Sequence, residues 1–171
     1  MSVVFESLLI KFKPILVEHP ESPPASFSSA TDHLKSIPGV ESVYLGKPLE
    51  KPDYWVLGHA ERALHAPITE FCTCWGADET FTEDNMKPFA AACEEGGLAG
   101  LHGLAYGEFV QGQHENPSVI PGRASRLLMG WDSKEAHLQH NNSGSVIDDN
   151  VYYLLARNKS LEIYHVPFKK L

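Results

Sequence analysis

Long apolar runs, basic charge and paired cysteines are all scarce in this chain of 171 residues. Although 43% of the residues are hydrophobic, no stretch approaches the roughly 18 uninterrupted apolar residues that a membrane-spanning helix needs. No membrane partner is expected. Lys and Arg number 14 against 22 Asp and Glu, for a net charge of -8, and so acidic a surface repels a phosphate backbone. Nucleic acid is excluded as a partner on the same ground. The 3 cysteines form no even disulfide set, which predicts reduced thiols, with Cys72 and Cys74 read as buried structural residues. Met1 to Glu6 has neither the basic region nor the apolar run of a secretion signal, so the expected location is cytoplasmic. Gly-x-Ser-x-Gly is missing, and Gly96-Gly97-x-x-Gly100 follows a helix pattern where a dinucleotide fingerprint would open one. Serine-nucleophile and nicotinamide chemistry are therefore not expected.

What the chain does contain is a strand and helix order that recurs. Strands are predicted over residues 3 to 13, 40 to 47, 53 to 59, 68 to 75, 98 to 110, 126 to 131 and 161 to 168. Helices are predicted from Phe27 to a stop at Pro38-Gly39, briefly over Glu61 to Ala66, and from Thr82 to Gly96-Gly97. Two more follow the strand ending at Trp131. The first is marked by Asp132 and Glu135 as a capping box, and the second begins near Ser145 with Ile147, Val151, Leu154 and Leu155 on one face. Gln111 to Arg123 reads as a long loop. One spacing repeats at matching points of the two halves: Gly39 to Gly46 with Gly100 to Gly107, and Gly58 to His65 with Gly130 to His137. The chain thus reads as a shortened repeat over 1-66 and a fuller repeat over 67-171, packed as one compact unit. Residues 68 to 75 either complete the first or begin the second.

The segment Leu127-Leu128-Met129-Gly130-Trp131-Asp132-Ser133-Lys134-Glu135-Ala136-His137, with Glu162-Ile163-Tyr164-His165-Val166 after a broken helix, resembles the second half of dimeric α+β barrel proteins, in particular the antibiotic-biosynthesis-monooxygenase-like group. The resemblance implies an α+β fold of two ferredoxin-like repeats, the first shortened, forming an α+β barrel with antiparallel sheets. It also implies small-molecule chemistry such as oxygenation or cyclisation of aromatic or polyketide-like intermediates. Haem-degrading members place a ligating His late in the helical segment after the strand Trp. Ile147, Asp148 and Asp149 stand there in this chain, so neither haem nor another cofactor is expected.

Histidine, with 9 copies, is the candidate for proton transfer near neutral pH. His59 and Trp131 hold equivalent places at the ends of the third strands of the two halves. His102 and Tyr106 share a strand face by alternation, and His165 lies on the last strand. His59, His102, Tyr106 and His165 are the expected catalytic groups, with Trp75, Trp131 and His137 lining the substrate. His137 and His140, three apart on a helix with no marked carboxylate partner, are too weak a pattern for a metal, and none is expected. The resulting expectation is a small cofactor-independent enzyme, monomer or homodimer. Its alternative is a non-catalytic ligand-binding or interaction protein of the same fold, engaging partners through the 111 to 123 loop.

Overall fold

A computed structural model describes residues 6-11, 26-36, 42-51, 54-59, 63-110 and 123-171. It is a mixed α/β structure with two antiparallel sheets of four strands each among the described residues. In chain order the elements are β1 (Glu6–Lys11), α1 (Ser26–Ser36), β2 (Tyr44–Gly46), β3 (Tyr54–His59), β4 (Ile68–Trp75), α2 (Lys87–Glu95), β5 (Leu101–Val110), β6 (Arg123–Trp131), α3 (Lys134–Leu138), α4 (Val146–Asn150), α5 (Tyr152–Leu155), β7 (Ser160–Val166) and β8 (Phe168–Lys170). The first sheet runs β1-β3-β2-β8 and the second β5-β6-β4-β7. No helix is long and apolar enough to cross a membrane among the described residues. The loop expected from Gln111 onward lies outside them.

Strand β4 explains the layering. Its sequence Ile-Thr-Glu-Phe-Cys-Thr-Cys-Trp is buried almost throughout, as a strand covered on both faces must be. Alternation sends Ile68, Cys72 and Cys74 to one side, where Leu127, Met129 and Trp131 of β6 meet Phe89 and Cys93 of α2, Ile147 of α4 and Leu154 of α5. Phe71 goes to the other side with Leu128, Tyr164 and Val166, against Tyr44 and Val56 of the first sheet. The second sheet is therefore a middle layer, with helices on one face and the first sheet on the other. Residues 68 to 75, ambiguous in the sequence, form a central strand of this second sheet.

Strand β5 begins at Leu101 and not at 98, and β6 at Arg123 and not at 126. Two further boundaries differ from the sequence expectation, each for a local reason. The last strand does not run unbroken to Phe168. Pro167, which has no amide hydrogen to give a ladder, separates β7 from β8, and β8 crosses to pair with β2, Phe168 opposite Gly46. Glycine at 46 permits the crossing, since a Cβ there would collide with Val166 and lie 2.9 Å from the Pro167 carbonyl oxygen. The cap of α3 is also one residue later than expected. The Asp132 amide still donates to Gly100 O at 2.9 Å, which keeps Asp132 on the strand ladder. Ser133 takes the capping position instead, its Oγ accepting from the Ala136 amide at 3.1 Å. The start of the next helix falls where expected, with Ser145 Oγ accepting from the Asp148 amide.

Candidate functional site

Strand register brings a carboxyl and an imidazole together inside the helix-covered face. Glu70 on β4 stands directly opposite His165 on β7 and, because Ile68 pairs with Trp131, diagonally from the Trp131 indole on β6. Trp131 Nε1 donates to Glu70 Oε2 at 3.0 Å. The chain then turns into the capped helix α3, which folds His137 back over the indole with ring centroids 5.4 Å apart and planes at 21°. His140 stacks on the same indole at 5.6 Å. His137 Nδ1 lies 2.9 Å from His165 Nε2 and 3.5 Å from Glu70 Oε2. Glu70, Trp131, His137 and His165 are all buried.

A second carboxyl arrives from the first sheet. The turn after β2 docks on the outer edge of β7, where the Leu49 amide donates to His165 O at 2.8 Å. Glu50 accepts from the His165 amide and from His165 Nδ1, both at 2.7 Å. Lys134 Nζ donates to Glu50 Oε1 at 2.8 Å. These contacts settle the tautomers. A carboxylate only accepts, so His165 Nδ1 carries hydrogen; in the neutral ring Nε2 is then an acceptor, and His137 Nδ1 donates to it. The result is a chain Glu50–His165–His137 beside Glu70.

Burial and contacts drive these groups apart in proton affinity. For Glu70, burial pushes the carboxyl up to about 7, against the Trp131 hydrogen bond and with a further push from the Glu50 charge. Glu50 is drawn upward by partial burial, but bonds from Lys134 and from the His165 amide and ring outweigh this and bring it down to about 2. Burial, reinforced by His165 and His140, lowers His137 to about 4.

Above the cluster lies a cavity of about 250 Å³, walled by apolar side chains such as Phe89, Met129, Ile147 and Ile163. Glu70, His137, Asn141 and Asp148 are its polar contributors. An apolar chamber with a few convergent polar groups at one wall is the usual form of a small-molecule site. Paired acid and base groups of displaced proton affinity at that wall suit proton transfer.

Of the residues expected from the sequence, the structure gathers His165, His137 and Trp131. His102 stands apart as the extra residue of a β-bulge between Leu101 and Gly103. Its ring is 44% exposed and bonded to Asp132 Oδ1 at 2.6 Å. The bulge also breaks the alternation that was to align His102 with Tyr106. Tyr106 is 38% exposed on the edge strand β5. Trp75 lies at the far end of β4 and, by alternation from Glu70, belongs to its other face. His59 ends β3, but its side chain lies outside the described residues. The sequence reading missed both carboxylates. Glu70 had a signal, as the lone charge in an otherwise apolar and hydroxyl-bearing strand. Glu50 had none, because only long-range docking brings it to His165. No protein-family model, curated protein or solved structure matches the chain.

Proposed function

We propose that this chain is a small enzyme acting on an aromatic or polyketide-like molecule by acid-base chemistry, with Glu70, His137 and His165 as its reacting cluster. This cluster replaces the quartet His59, His102, Tyr106 and His165 inferred from sequence. The observation that carries the proposal is the buried Glu70 carboxyl, set beside two imidazoles at the wall of an apolar cavity. A carboxyl buried there contributes less to stability than an apolar side chain of its size would, so its place is best explained by chemistry.

The fold reading belongs to the same proposal. The strand order β7-β4-β6-β5, with helices after β4 and after β6, supports a ferredoxin-like unit. Strands β1, β3 and β2 with α1 support a shortened copy, completed at its β2 edge by β8. Two such units packed sheet against sheet are what the resemblance to the α+β barrel group implies.

In the proposed mechanism, an enolisable ketone or a phenol enters the cavity with its ring against Phe89, Met129 and Ile163, and its acidic hydrogen at Glu70 and His137. The proton moves onto the cluster, and the charge left on the imidazoles is stabilised through His165 by the Glu50 carboxylate. The apolar walls keep water from competing. Deuterium incorporation from heavy water into a panel of enolisable aryl ketones, read by NMR, tests this without a known substrate. Glu70→Gln and His137→Asn should each slow the exchange by about 100-fold or more. Exchange equal in parent and variants, with the fold retained, would sink the enzyme reading in favour of a carrier.

A further inference from the structure

We propose that Glu70 Oε2, His137 Nδ1 and His165 Nε2 form a binding site for a divalent first-row transition metal of the zinc or ferrous-iron class. The inference concerns the cluster on which the enzyme reading rests and deepens it by naming what the cluster holds. It departs from the sequence expectation of a metal-free protein, which considered His137 with His140 and not with the strand residues.

Two imidazole nitrogens and one carboxylate oxygen are the donor set such ions favour, and three protein ligands with a free position are the usual catalytic arrangement. The three ligand atoms all lie within 4.8 Å of one another, with His137 Nδ1 at 2.9 Å from His165 Nε2 and 3.5 Å from Glu70 Oε2. An ion bound at about 2.0 to 2.2 Å sets neighbouring ligand atoms roughly 2.9 to 3.6 Å apart. Binding therefore requires the His137 hydrogen to pass from Nδ1 to Nε2, freeing Nδ1 as a ligand, and the Glu70 and His165 side chains to draw closer together.

The outer contacts match as well. Glu50 holds the Nδ1 hydrogen of His165, which aims the bare Nε2 at the centre, and the Trp131 indole fixes Glu70 Oε2. A carboxylate behind a ligating histidine and a donor on the ligating carboxylate are the supports that orient metal ligands. Charge points the same way. Glu70 and Glu50 are two carboxyls near one centre, and the only cation bonded to either among the described residues is Lys134, on the solvent side at Glu50. A divalent ion would neutralise Glu70 in place. The cavity touches Glu70 and His137, leaving a fourth position for water or substrate. A metal-bound water there would serve as the base near neutral pH.

No other histidine has this surrounding among the described residues. His102 pairs with Asp132 at the surface and His140 Nε2 meets the Ala99 carbonyl oxygen.

The test uses the tag-free full chain, stripped with EDTA and titrated with Co²⁺. Visible d–d absorption should appear and saturate at one equivalent, and Zn²⁺ should displace it. Glu70→Gln and His165→Ala should each weaken binding at least 100-fold. Glu50→Gln, which leaves all three ligands in place, should weaken it by roughly 10- to 100-fold, and His102→Ala should leave it unchanged. Circular dichroism checks each fold; if His165→Ala fails to fold, the near-isosteric Glu70→Gln carries the decision. Absence of cobalt absorption up to millimolar Co²⁺ in the folded parent overturns the proposal. So does unchanged affinity in Glu70→Gln. If cobalt does not bind while ketone exchange still depends on Glu70, the metal inference falls and the enzyme reading stands. If cobalt binds as described and no exchange accompanies it, the enzyme reading falls and the metal site stands.

Discussion

One residue along β4 and one along β7 separate two cross-strand pairs with opposite characters. Glu70 faces His165, and Phe71 faces Tyr164. Toward the first sheet, Phe71 and Tyr164 stack with centroids 5.1 Å apart and planes at 11°, a contact that area burial and aromatic packing suffice to explain. Toward the helices, the neighbouring pair is buried equally deeply yet polar, and it draws in Trp131, His137 and Glu50 to satisfy its atoms. The same two strands thus build a buried apolar pair on one face and a buried titratable pair on the other. An apolar pair at positions 70 and 165 would serve the core at least as well. Under the proposed function, the polar pair is what this face contributes beyond folding.

Substitution on each face should break the comparison in opposite ways, and this is the largest effect expected. Phe71→Ala removes a buried ring and should cost about 3 to 5 kcal/mol of unfolding free energy, read by urea denaturation, while Co²⁺ affinity in the fraction that remains folded changes little. Glu70→Gln keeps an acceptor for the Trp131 indole and removes a carboxyl whose ionisation burial opposes, so in chelator it should be no less stable than the parent, while metal binding and ketone exchange are lost. Stability losses of similar size in the two variants would erase the distinction between the faces.

A smaller effect, confined to the polar face, is how stability depends on pH in the metal-free chain. Glu70 is raised from 4.5 to about 7, so between those values the folded state keeps a proton that the unfolded state releases, and stability falls as pH rises. His137 is lowered from 6.5 to about 4, so the folded state lacks a proton that the unfolded state binds, and stability falls as pH drops through that window. Over their overlap the two oppose each other, and the parent should be nearly flat. Glu70→Gln should unmask the His137 slope, losing stability on acidification from about pH 6.5 to 4. Glu50, lowered from 4.5 to about 2, contributes stability above 4.5 that disappears as pH falls toward 2, and Glu50→Gln should flatten that acid limb while relieving part of the upward push on Glu70. Lys134, His140 and His165 contact these three, and Asp148, Cys72 and Cys93 lie nearby among the described residues; all remain in place in both variants. Chelated unfolding curves from pH 2 to 8 that overlay for parent and Glu70→Gln would contradict this assignment.

The contrast between the faces also explains how far the sequence could be read. The β4, α2, β6 and β7 segments were legible because periodicity and breakers agree there: Ile68 to Trp75 is apolar on both faces, and Gly96-Gly97 ends a helix with clear spacing. The Phe71 side follows from burial alone, which sequence patterning encodes directly. The polar side was half legible. His137, His165 and Trp131 stood out as residue types, but their convergence depends on strand register and on a helix folding back, which spacing does not carry. Glu50 lies far along the chain from His165 and reaches it only when the turn after β2 docks on the β7 edge. The bulge at His102 is a one-residue register shift with no compositional mark, and it was enough to remove His102 from the group in which alternation placed it.

The smallest expected effect lies on the apolar face, at the one polar atom it mishandles. Among the described residues Tyr164 Oη is the only buried side-chain polar atom without a hydrogen-bond partner, and burial pushes its phenol upward in pKa. Its ring still works, stacked on Phe71 with Lys51 Nζ 4.9 Å from the centroid. Tyr164→Phe keeps both ring contacts and removes the unpaired hydroxyl, so it should stabilise the chain by about 1 kcal/mol. Co²⁺ binding should not change, because Tyr164 points away from Glu70. A melting temperature lower than the parent's would mean that the hydroxyl has a partner worth keeping, and the Phe71 face could then no longer be described as packing alone.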